Sequence, residues 1–226
     1  MEKQDITSHL NTIHQGDCLD FMKTLPDKCI DLVLTDPPYG MEFKSNYRKI
    51  KYEKIENDNN LDWLPVFSSE IFRILKDDTH AYVFCSFHNV DLFKQELQKH
   101  FEIKNLLVWV KNNTGMGDLY GDYAPQYELC FYIQKGKRKL NEGRDSNILK
   151  FNKTGNSLHP TEKPQDLFGF LIRKSSNEDN IIFDPFIGSG TTAVACKQLK
   201  RNYIGCEISS EYCEIAKSRL SQDSLF

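Results

Sequence analysis

Strand-like and helix-like segments alternate along this chain, and the alternation limits the folds that it can adopt. Runs rich in β-branched and aromatic residues lie near 11–14, 30–35, 79–84, 103–110, 128–134, 180–183 and 202–206. Helical patterns separate most of them, at roughly 18–25, 62–75, 89–100, 164–176, 191–199 and 210–221. This order predicts an α/β domain around a largely parallel sheet. Because no helical pattern separates 103–110 from 128–134, we expect that pair to be antiparallel.

The composition fits one globular domain of 226 residues, without an internal repeat or a domain linker. Long polar stretches lack core periodicity, and we expect loop inserts at about 41–60 and 112–160, since loops of that length are usually functional. No apolar run reaches the length of a membrane span and no signal-peptide pattern is present, so we expect a cytoplasmic protein without a membrane partner. The seven cysteines form no C-x-x-C pair and no Cys/His cluster, which predicts neither a metal site nor a disulfide framework.

The tetrapeptide Asp36-Pro37-Pro38-Tyr39 follows an apolar run that ends at Leu34. Each proline fixes its own φ and pushes the preceding residue toward extended geometry. The Asp36 carboxylate, the neighbouring carbonyls and the Tyr39 ring are therefore held rigidly at the carboxyl end of a strand, where α/β sheets bind ligands. The oxygens can accept from an amino group while the ring stacks on a flat heterocycle. Taken alone, the motif fits an ordinary strand-ending turn equally well.

A second motif, residues 181–192, reads as a strand, a glycine turn and a helix start. Gly188 and Gly190 allow a tight turn and a close approach to a ligand, and the amides of the helix start favour a carboxylate or phosphate. The next strand ends at Glu207, where Rossmann-like sites bind ribose hydroxyls. The pattern is neither G-x-G-x-x-G nor a P-loop, which argues against a dinucleotide or a nucleoside triphosphate. A nucleoside with an amino-acid tail, such as S-adenosylmethionine, fits instead; the alternative is a structural βαβ turn.

Together these motifs resemble the β-class of amino DNA methyltransferases, in which the catalytic loop precedes the cofactor loop in sequence. Three more stretches match the family in its order: Gly16-Asp17-Cys18, Trp109-Val110-Lys111-Asn112-Asn113 and His159-Pro160-Thr161-Glu162-Lys163-Pro164. Separately, each has an ordinary explanation as a helix cap, a solvated strand end or a surface loop. Their ordered occurrence from Gly16 to Glu207 favours the resemblance.

The resemblance implies a circularly permuted Rossmann-like methyltransferase fold, with about seven strands in a mixed sheet and helices on both faces. It implies a catalytic loop formed by Asp36, Pro37, Pro38 and Tyr39. It also implies an S-adenosylmethionine site, in which the adenine lies near Asp17 and Cys18 and the cofactor carboxylate lies near Lys163. The predicted cofactor set comprises Asp17, Cys18, Asp36, Lys163, Asp184, Pro185, Phe186, Gly188, Ser189, Gly190, Thr191, Thr192 and Glu207.

The chemistry that such a site performs is direct methyl transfer to an exocyclic amino group. Asp36 and the Pro37 carbonyl would accept its two N–H bonds and expose the nitrogen lone pair for in-line attack. The base must first be flipped out of the duplex, with Tyr39 as the stacking surface. In the family, Asp at the first motif position is typical of adenine N6 and Ser of cytosine N4, so we predict adenine N6 methylation. Cytosine N4 methylation, methylation of RNA or protein glutamine, and a catalytically silent DNA-binding subunit are the alternatives.

Basic residues are concentrated in two segments, although the formal net charge is −3. Residues 135–153 hold seven basic and two acidic side chains (7 − 2 = +5), and residues 41–54 hold five and two (5 − 2 = +3). Basic loops can follow a phosphate backbone, although a charge run is usually a solvated face. We predict that double-stranded DNA contacts Lys111, Asn112, Lys137, Arg138, Lys139 and Arg144. The resemblance also admits a homodimer and a cognate restriction endonuclease as partners.

Overall fold

The described strands form one sheet flanked by helices. The computed structural model of the chain describes residues 5–38, 61–114, 121, 123–153 and 163–222. The strands within these ranges are β1 (Thr12–Gln15), β2 (Ile30–Thr35), β3 (Leu75–Cys85), β4 (Glu102–Val110), β5 (Tyr127–Lys135), β6 (Ile148–Lys150), β7 (Ile181–Asp184) and β8 (Asn202–Glu207). The α-helices are α1 (Cys18–Thr24), α2 (Leu64–Ile74), α3 (Val90–Leu97), α4 (Gln165–Ser175), α5 (Thr191–Gln198) and α6 (Ser210–Gln222).

The strands follow the order β1-β8-β7-β2-β3-β5-β4-β6 across the sheet. β5 is antiparallel to both of its neighbours, β3 and β4, whereas all the other recorded pairings are parallel. The antiparallel pair expected from the missing helix is thus confirmed. The described sheet has eight strands rather than about seven, because β6 was not predicted. Its three residues are too few to give a periodic pattern.

The order of the strands reverses between β2 and β7, which are neighbours in the sheet. From β2 the chain proceeds through α2 to β3 on one side, and from β7 it proceeds through α5 to β8 on the other. The two connections separate at this point and leave a crevice at the carboxyl ends of the strands, where open α/β sheets bind ligands. The fold therefore places Asp36, which follows β2, beside the glycine turn that follows β7.

Two apolar layers pack the helices against the faces of the sheet. Val33 of β2 packs into the layer under α1, α2 and α3, with Phe67 as one of its fully buried members. Leu32 and Leu34 of the same strand point into the opposite layer, which contains Leu167 of α4. This alternation is the period of a strand that is buried on both faces. Each fully buried large apolar side chain stabilises the fold by roughly 1.5–3 kcal/mol, so both layers fix the strand ends that carry the polar residues.

The two predicted inserts have different outcomes. Residues 41–60 lie outside the described residues. The second insert, 112–160, contains β5 and β6, and part of the connection between them is packed on the body of the protein. The Lys137 N–H donates to the Asp78 carboxylate at 2.6 Å, and the Asn141 amide donates to the Arg173 carbonyl at 2.9 Å. These described parts of the insert therefore pack on the body of the protein.

Candidate active site

Asp36 directly follows β2 at the crevice between β2 and β7. Pro37 is buried and Pro38 is half-buried. The Asp36 side chain is 16% exposed, which leaves part of the carboxylate open at the edge of the sheet. Tyr39, the fourth residue of the predicted catalytic loop, lies outside the described residues.

A chain of ion pairs extends from Asp36 to the neighbouring strands. The Lys163 ammonium donates to the Asp36 carboxylate and lies 2.8 Å from Glu128 Oε2. The other oxygen of Glu128 lies 2.7 Å from the Lys111 ammonium. Lys163 also lies over the Phe84 ring, 5.4 Å from its centroid. We call Asp36, Lys163, Glu128 and Lys111 the carboxylate–lysine cluster.

The cluster contains two positive and two negative groups, and burial makes their attraction strong. The Lys163 side chain is only 6% exposed. Burial works against its ammonium, but the Asp36 and Glu128 carboxylates outweigh this effect and raise the pKa of Lys163. Burial likewise opposes the charge of Glu128, yet Lys163 and Lys111 lower its pKa below the usual range. Lys163 and Glu128 thus both stay charged at neutral pH.

The glycine turn after β7 adopts the backbone conformations that its sequence predicts. Gly188 and Gly190 have φ values of 52° and 88°, in the left-handed region that favours glycine. α5 begins directly after Gly190, and no side chain caps its amino end. The first N–H groups of a helix have no acceptor within the helix. This end of α5 can therefore receive a negatively charged ligand group.

Glu207, at the end of β8, closes the other side of the turn. Its Oε2 accepts from the Gly188 N–H at 3.0 Å, and its Oε1 accepts from the Ser209 N–H at 2.9 Å. Burial raises the pKa of Glu207 above its ordinary value. Each carboxylate oxygen has capacity for a second donor, so Glu207 can support the glycine turn and also bind ligand hydroxyls.

Asp184 and Thr192 support the glycine turn from inside the protein. Asp184 is 2% exposed, accepts from the Thr192 hydroxyl, and accepts from the Phe186 N–H at 3.1 Å. Burial raises the pKa of Asp184 to about 7. Its contacts with the residues on both sides of the turn fix the path of the backbone there. Two members of the predicted cofactor set therefore act as internal supports in this structure.

The raised pKa of Asp184 makes stability depend on pH. At pH values between the unfolded pKa of about 3.9 and the folded pKa of about 7, the folded state keeps a proton that the unfolded state releases. The free energy of unfolding should therefore fall by an amount on the order of a few kcal/mol as the pH rises through this range. Asp184→Asn has no carboxyl group to release this proton. As the pH rises from about 5 to about 8, the thermal midpoint of wild type should therefore fall relative to that of the variant. Parallel midpoint curves would contradict the assignment.

The first strand brings a third predicted element to the same edge. The Gly16 N–H, after β1, donates to the Glu207 carbonyl at 2.9 Å. Asp17 caps α1 by accepting from the Leu19 N–H at 2.7 Å. Cys18 is buried, and burial raises the pKa of its thiol. The ends of β1 and β8 thus form one wall of the crevice, with the Asp17 side chain at its rim.

The structure divides the predicted DNA-contacting residues between two edges of the sheet. Lys111 and Asn112 follow β4 at the same edge as Asp36, and the Asn112 amide oxygen accepts from the Lys153 N–H at 2.9 Å. Lys111 is turned inward, since its ammonium pairs with Glu128 and its side chain is 15% exposed. A phosphate contact by Lys111 would require this ion pair to open.

The other residues predicted to contact DNA lie at the opposite edge of the sheet from Asp36. The segment after β5, which contains Lys137, Arg138 and Lys139, lies beside Asp78 near the amino end of β3. Asp36 lies beside the carboxyl end of β3. About six residues of strand separate the two levels, or roughly 20 Å at 3.3 Å per residue. Arg144 lies at that same far edge, because both of its chain neighbours contact the Lys174 ammonium near the end of α4. These residues are close to the site in sequence only.

Two residues of the site were not predicted, because long-range packing brings them there. Glu128 comes from β5 and links Lys163 to Lys111. Arg219 comes from α6, and its guanidinium lies 2.9 Å from the Ser189 carbonyl and 3.4 Å from the Thr191 hydroxyl. The sequence signal for each was weak: an acidic residue near the start of a mostly apolar strand, and a basic residue on an amphipathic helix.

Within the described residues, no group of His, Cys, Asp and Glu side chains has the arrangement of a metal site. The same part of the chain contains no helix with the length and hydrophobicity needed to cross a membrane.

The chain matches the N6/N4 methyltransferase family model, described as DNA methylase, over residues 30–218. It belongs to this family of DNA methylases. It is 30% identical over 240 residues to the type II methyltransferase M2.MboI of Moraxella bovis, covering 92% of this chain and 86% of that protein. It is 29% identical over 246 residues to the DNA adenine methyltransferase YhdJ of Escherichia coli (strain K12), covering 92% of this chain and 82% of that protein.

A solved structure supports the same assignment. The crystal structure of the M1.HpyAVI–SAM complex superposes with a TM-score of 0.71 at 27% sequence identity. The match covers 92% of this chain and 98% of that one. The mixed sheet with helices on both faces is thus the methyltransferase fold that the resemblance implied.

Proposed function

We propose that this chain transfers a methyl group from S-adenosylmethionine to the exocyclic N6 of adenine in double-stranded DNA. One observation carries the proposal: Asp36 and the glycine turn lie at the same crevice, where the order of the strands reverses. The Asp at the first motif position and the similarity to a protein named DNA adenine methyltransferase support adenine over cytosine. Cytosine N4 is the second candidate, since the matched family covers both bases.

The polar groups of the crevice fit S-adenosylmethionine, which supplies an electrophilic sulfonium methyl group when bound. The uncapped start of α5 would receive the cofactor carboxylate. Glu207 would accept from the ribose hydroxyls, because each of its oxygens has spare acceptor capacity. Asp17 would lie toward the adenine. The near-complete burial of Asp184 and Thr192 assigns them a supporting role behind the glycine turn.

The protein's part in the reaction is to position and polarise the target amino group. The nitrogen lone pair is delocalised into the ring, which makes the group a weak nucleophile. When Asp36 and the Pro37 carbonyl accept its two N–H bonds, the nitrogen becomes more tetrahedral and its lone pair turns toward the methyl group. A rigid strand end is suited to this task because little reorganisation is needed during the reaction. One proton must leave the nitrogen, and Asp36 would take it or pass it to water.

The target base must leave the duplex to reach Asp36, because the exocyclic group is otherwise inaccessible to the site. Tyr39 is the proposed stacking surface for the flipped base. A homodimer and a cognate restriction endonuclease, the further partners implied by the resemblance, belong to the same proposal, as does action in the cytoplasm.

The decisive experiment combines purified protein, S-adenosylmethionine with a labelled methyl group, and unmethylated duplex DNA. Mass spectrometry of the digested nucleosides should find label in N6-methyladenine. Label in N4-methylcytosine would select the second candidate. Label found only when RNA or protein replaces DNA would reject a DNA substrate. DNA binding without transfer to any of them would indicate a catalytically silent subunit.

The position of the basic segment changes what we expect from its removal. We expect the same DNA affinity and salt dependence after Lys137, Arg138 and Lys139 are all changed to glutamine. Measured along the strands, these residues lie roughly 20 Å from Asp36. Each phosphate contact that is lost would lower the salt slope by about one. DNA affinity measured across a salt series decides between these outcomes. A slope lowered by about three would show that DNA reaches around to the far edge.

A further inference from the structure

Glu128 stands at the centre of the carboxylate–lysine cluster, yet it has no part in the mechanism above. It lies near the start of β5, opposite Trp109 of β4, and its side chain is 22% exposed. Its two oxygens contact different lysines, Lys111 at 2.7 Å and Lys163 at 2.8 Å. Lys163 in turn donates to Asp36. A single side chain thus connects the outer lysine to the one that touches the proposed catalytic carboxylate.

A cluster of buried ion pairs is a poor device for stability alone. Removing four charges from water costs free energy that their attraction only partly returns, and apolar residues of similar volume often stabilise a fold as well. The surroundings of Glu128 are apolar, since Cys130 and Trp109 are buried nearby in the same strand pair. The charges in this layer therefore point to a role in the crevice.

We propose that Glu128 is a positioning residue for methyl transfer: it holds the Lys163 ammonium against Asp36. The proposal rests on the function proposed above. Lys163 has a long, flexible side chain and three donors, and its position between two carboxylates defines where its charge lies. With the ammonium fixed, the Asp36 carboxylate is kept in one orientation before the target base arrives. Without Glu128, Lys163 is free to turn toward other anions in the crevice, and Asp36 loses its fixed partner.

Lys111 completes this arrangement from the outer side. Its ammonium neutralises the second oxygen of Glu128 and lies 5.4 Å from the centroid of the Trp109 ring. Because Glu128 has a cation on each side, its carboxylate cannot approach Lys163 further without leaving Lys111. The spacing between Lys163 and Asp36 is therefore set by strands β4 and β5 together, and not by the Asp36 loop alone.

The test is Glu128→Gln, which keeps the shape of the side chain and removes its charge. Under single turnover with saturating S-adenosylmethionine and unmethylated DNA, the rate of methyl transfer should fall about tenfold to a hundredfold, the cost of a misplaced reacting group. The dissociation constant for S-adenosylmethionine should stay within about threefold of wild type, because Glu128 does not line the glycine turn. Glu102→Gln is the matched control: this glutamate also pairs with a lysine, Lys104 at 2.9 Å, but on the exposed far end of β4.

A double-mutant cycle separates positioning from a general electrostatic effect. In a Lys163→Met background, Glu128→Gln should cause little further loss of rate, since Glu128 acts through Lys163. Losses that multiply would overturn the proposal, as would a wild-type rate in Glu128→Gln. If Glu128→Gln does not fold, judged by circular dichroism and thermal unfolding, Glu128→Asp replaces it; this variant keeps the charge but withdraws it by about one methylene length. A wild-type rate for Glu128→Asp would equally contradict the proposal. Absence of methyl transfer by wild type would instead reject the proposed function itself.

Discussion

Asp36→Ala is expected to lower the rate of methyl transfer by at least about a hundredfold, while S-adenosylmethionine still binds. Asp36 supplies an acceptor that matters most in the transition state, and loss of one such group in a dry site has a cost of this size. In this variant the Lys163 ammonium loses its contact with Asp36 and keeps its contact with Glu128. The measurement is single-turnover transfer of a labelled methyl group, with calorimetric titration of the cofactor on the same preparation.

Asp31→Ala provides the control from the same strand. Asp31 lies at the opposite end of β2, where it pairs with Lys76 at 2.8 Å and accepts from the Ile181 N–H at 2.9 Å. Its loss should lower the thermal midpoint and leave the transfer rate per folded molecule unchanged. Near-normal turnover by folded Asp36→Ala protein would show that Asp36 is not the amino-group acceptor.

Gly188→Val is expected to have the opposite profile, with loss of cofactor binding in a folded protein. Gly188 has a φ of 52°, and its N–H donates to Glu207. A β-branched residue in this conformation carries strain of roughly 1–2 kcal/mol, and its side chain would add bulk at the turn where the ligand must approach closely. Affinity should therefore fall by more than about tenfold, and Glu207→Ala, which adds no bulk, should weaken binding less. Isothermal titration with S-adenosylmethionine measures both variants.

A matched glycine separates backbone strain from the effect on the site. Gly143 also has a positive φ, 78°, and a Cβ at that position would meet no atom within 4 Å. It lies at the far edge of the sheet, where its carbonyl accepts from Lys174 at 2.7 Å. Gly143→Val should therefore lose stability while it retains cofactor affinity. Unchanged affinity in Gly188→Val would place the cofactor elsewhere.

The parts of this structure that were predictable are those specified by local sequence. The buried run of β2, the glycine turn and the amphipathic helices each carry their signal within a dozen residues, and the order of strands and helices indicated the α/β class. The glycines at 188 and 190 have the left-handed backbone that the turn required. The circularly permuted fold was predicted from the resemblance of the ordered motifs to the family, because local patterns alone did not specify it.

The remaining features depend on contacts between residues that are far apart in the chain. Glu128 and Lys163 meet across 35 residues (163 − 128), so neither segment alone indicates the ion pair. The distance of Lys137, Arg138 and Lys139 from the crevice has a related cause. These residues precede the predicted cofactor element in sequence, but β5 runs opposite to its neighbours and carries the chain away from the crevice before they occur. Strand direction, rather than distance along the chain, decides which edge a residue reaches.

The pairing of the edge strand β1 has a consequence for synthesis on the ribosome. Among the described strands, β1 pairs with β8 alone, and β8 begins 190 residues later in the chain (202 − 12). A nascent chain that has emerged as far as β7 therefore exposes β1 without a sheet partner and lacks Glu207. Pairings between such distant segments form slowly, because a long loop must close before any contact is gained. Because the proposed cofactor site includes Glu207, we expect the growing polypeptide to gain that site only after β8 has been made.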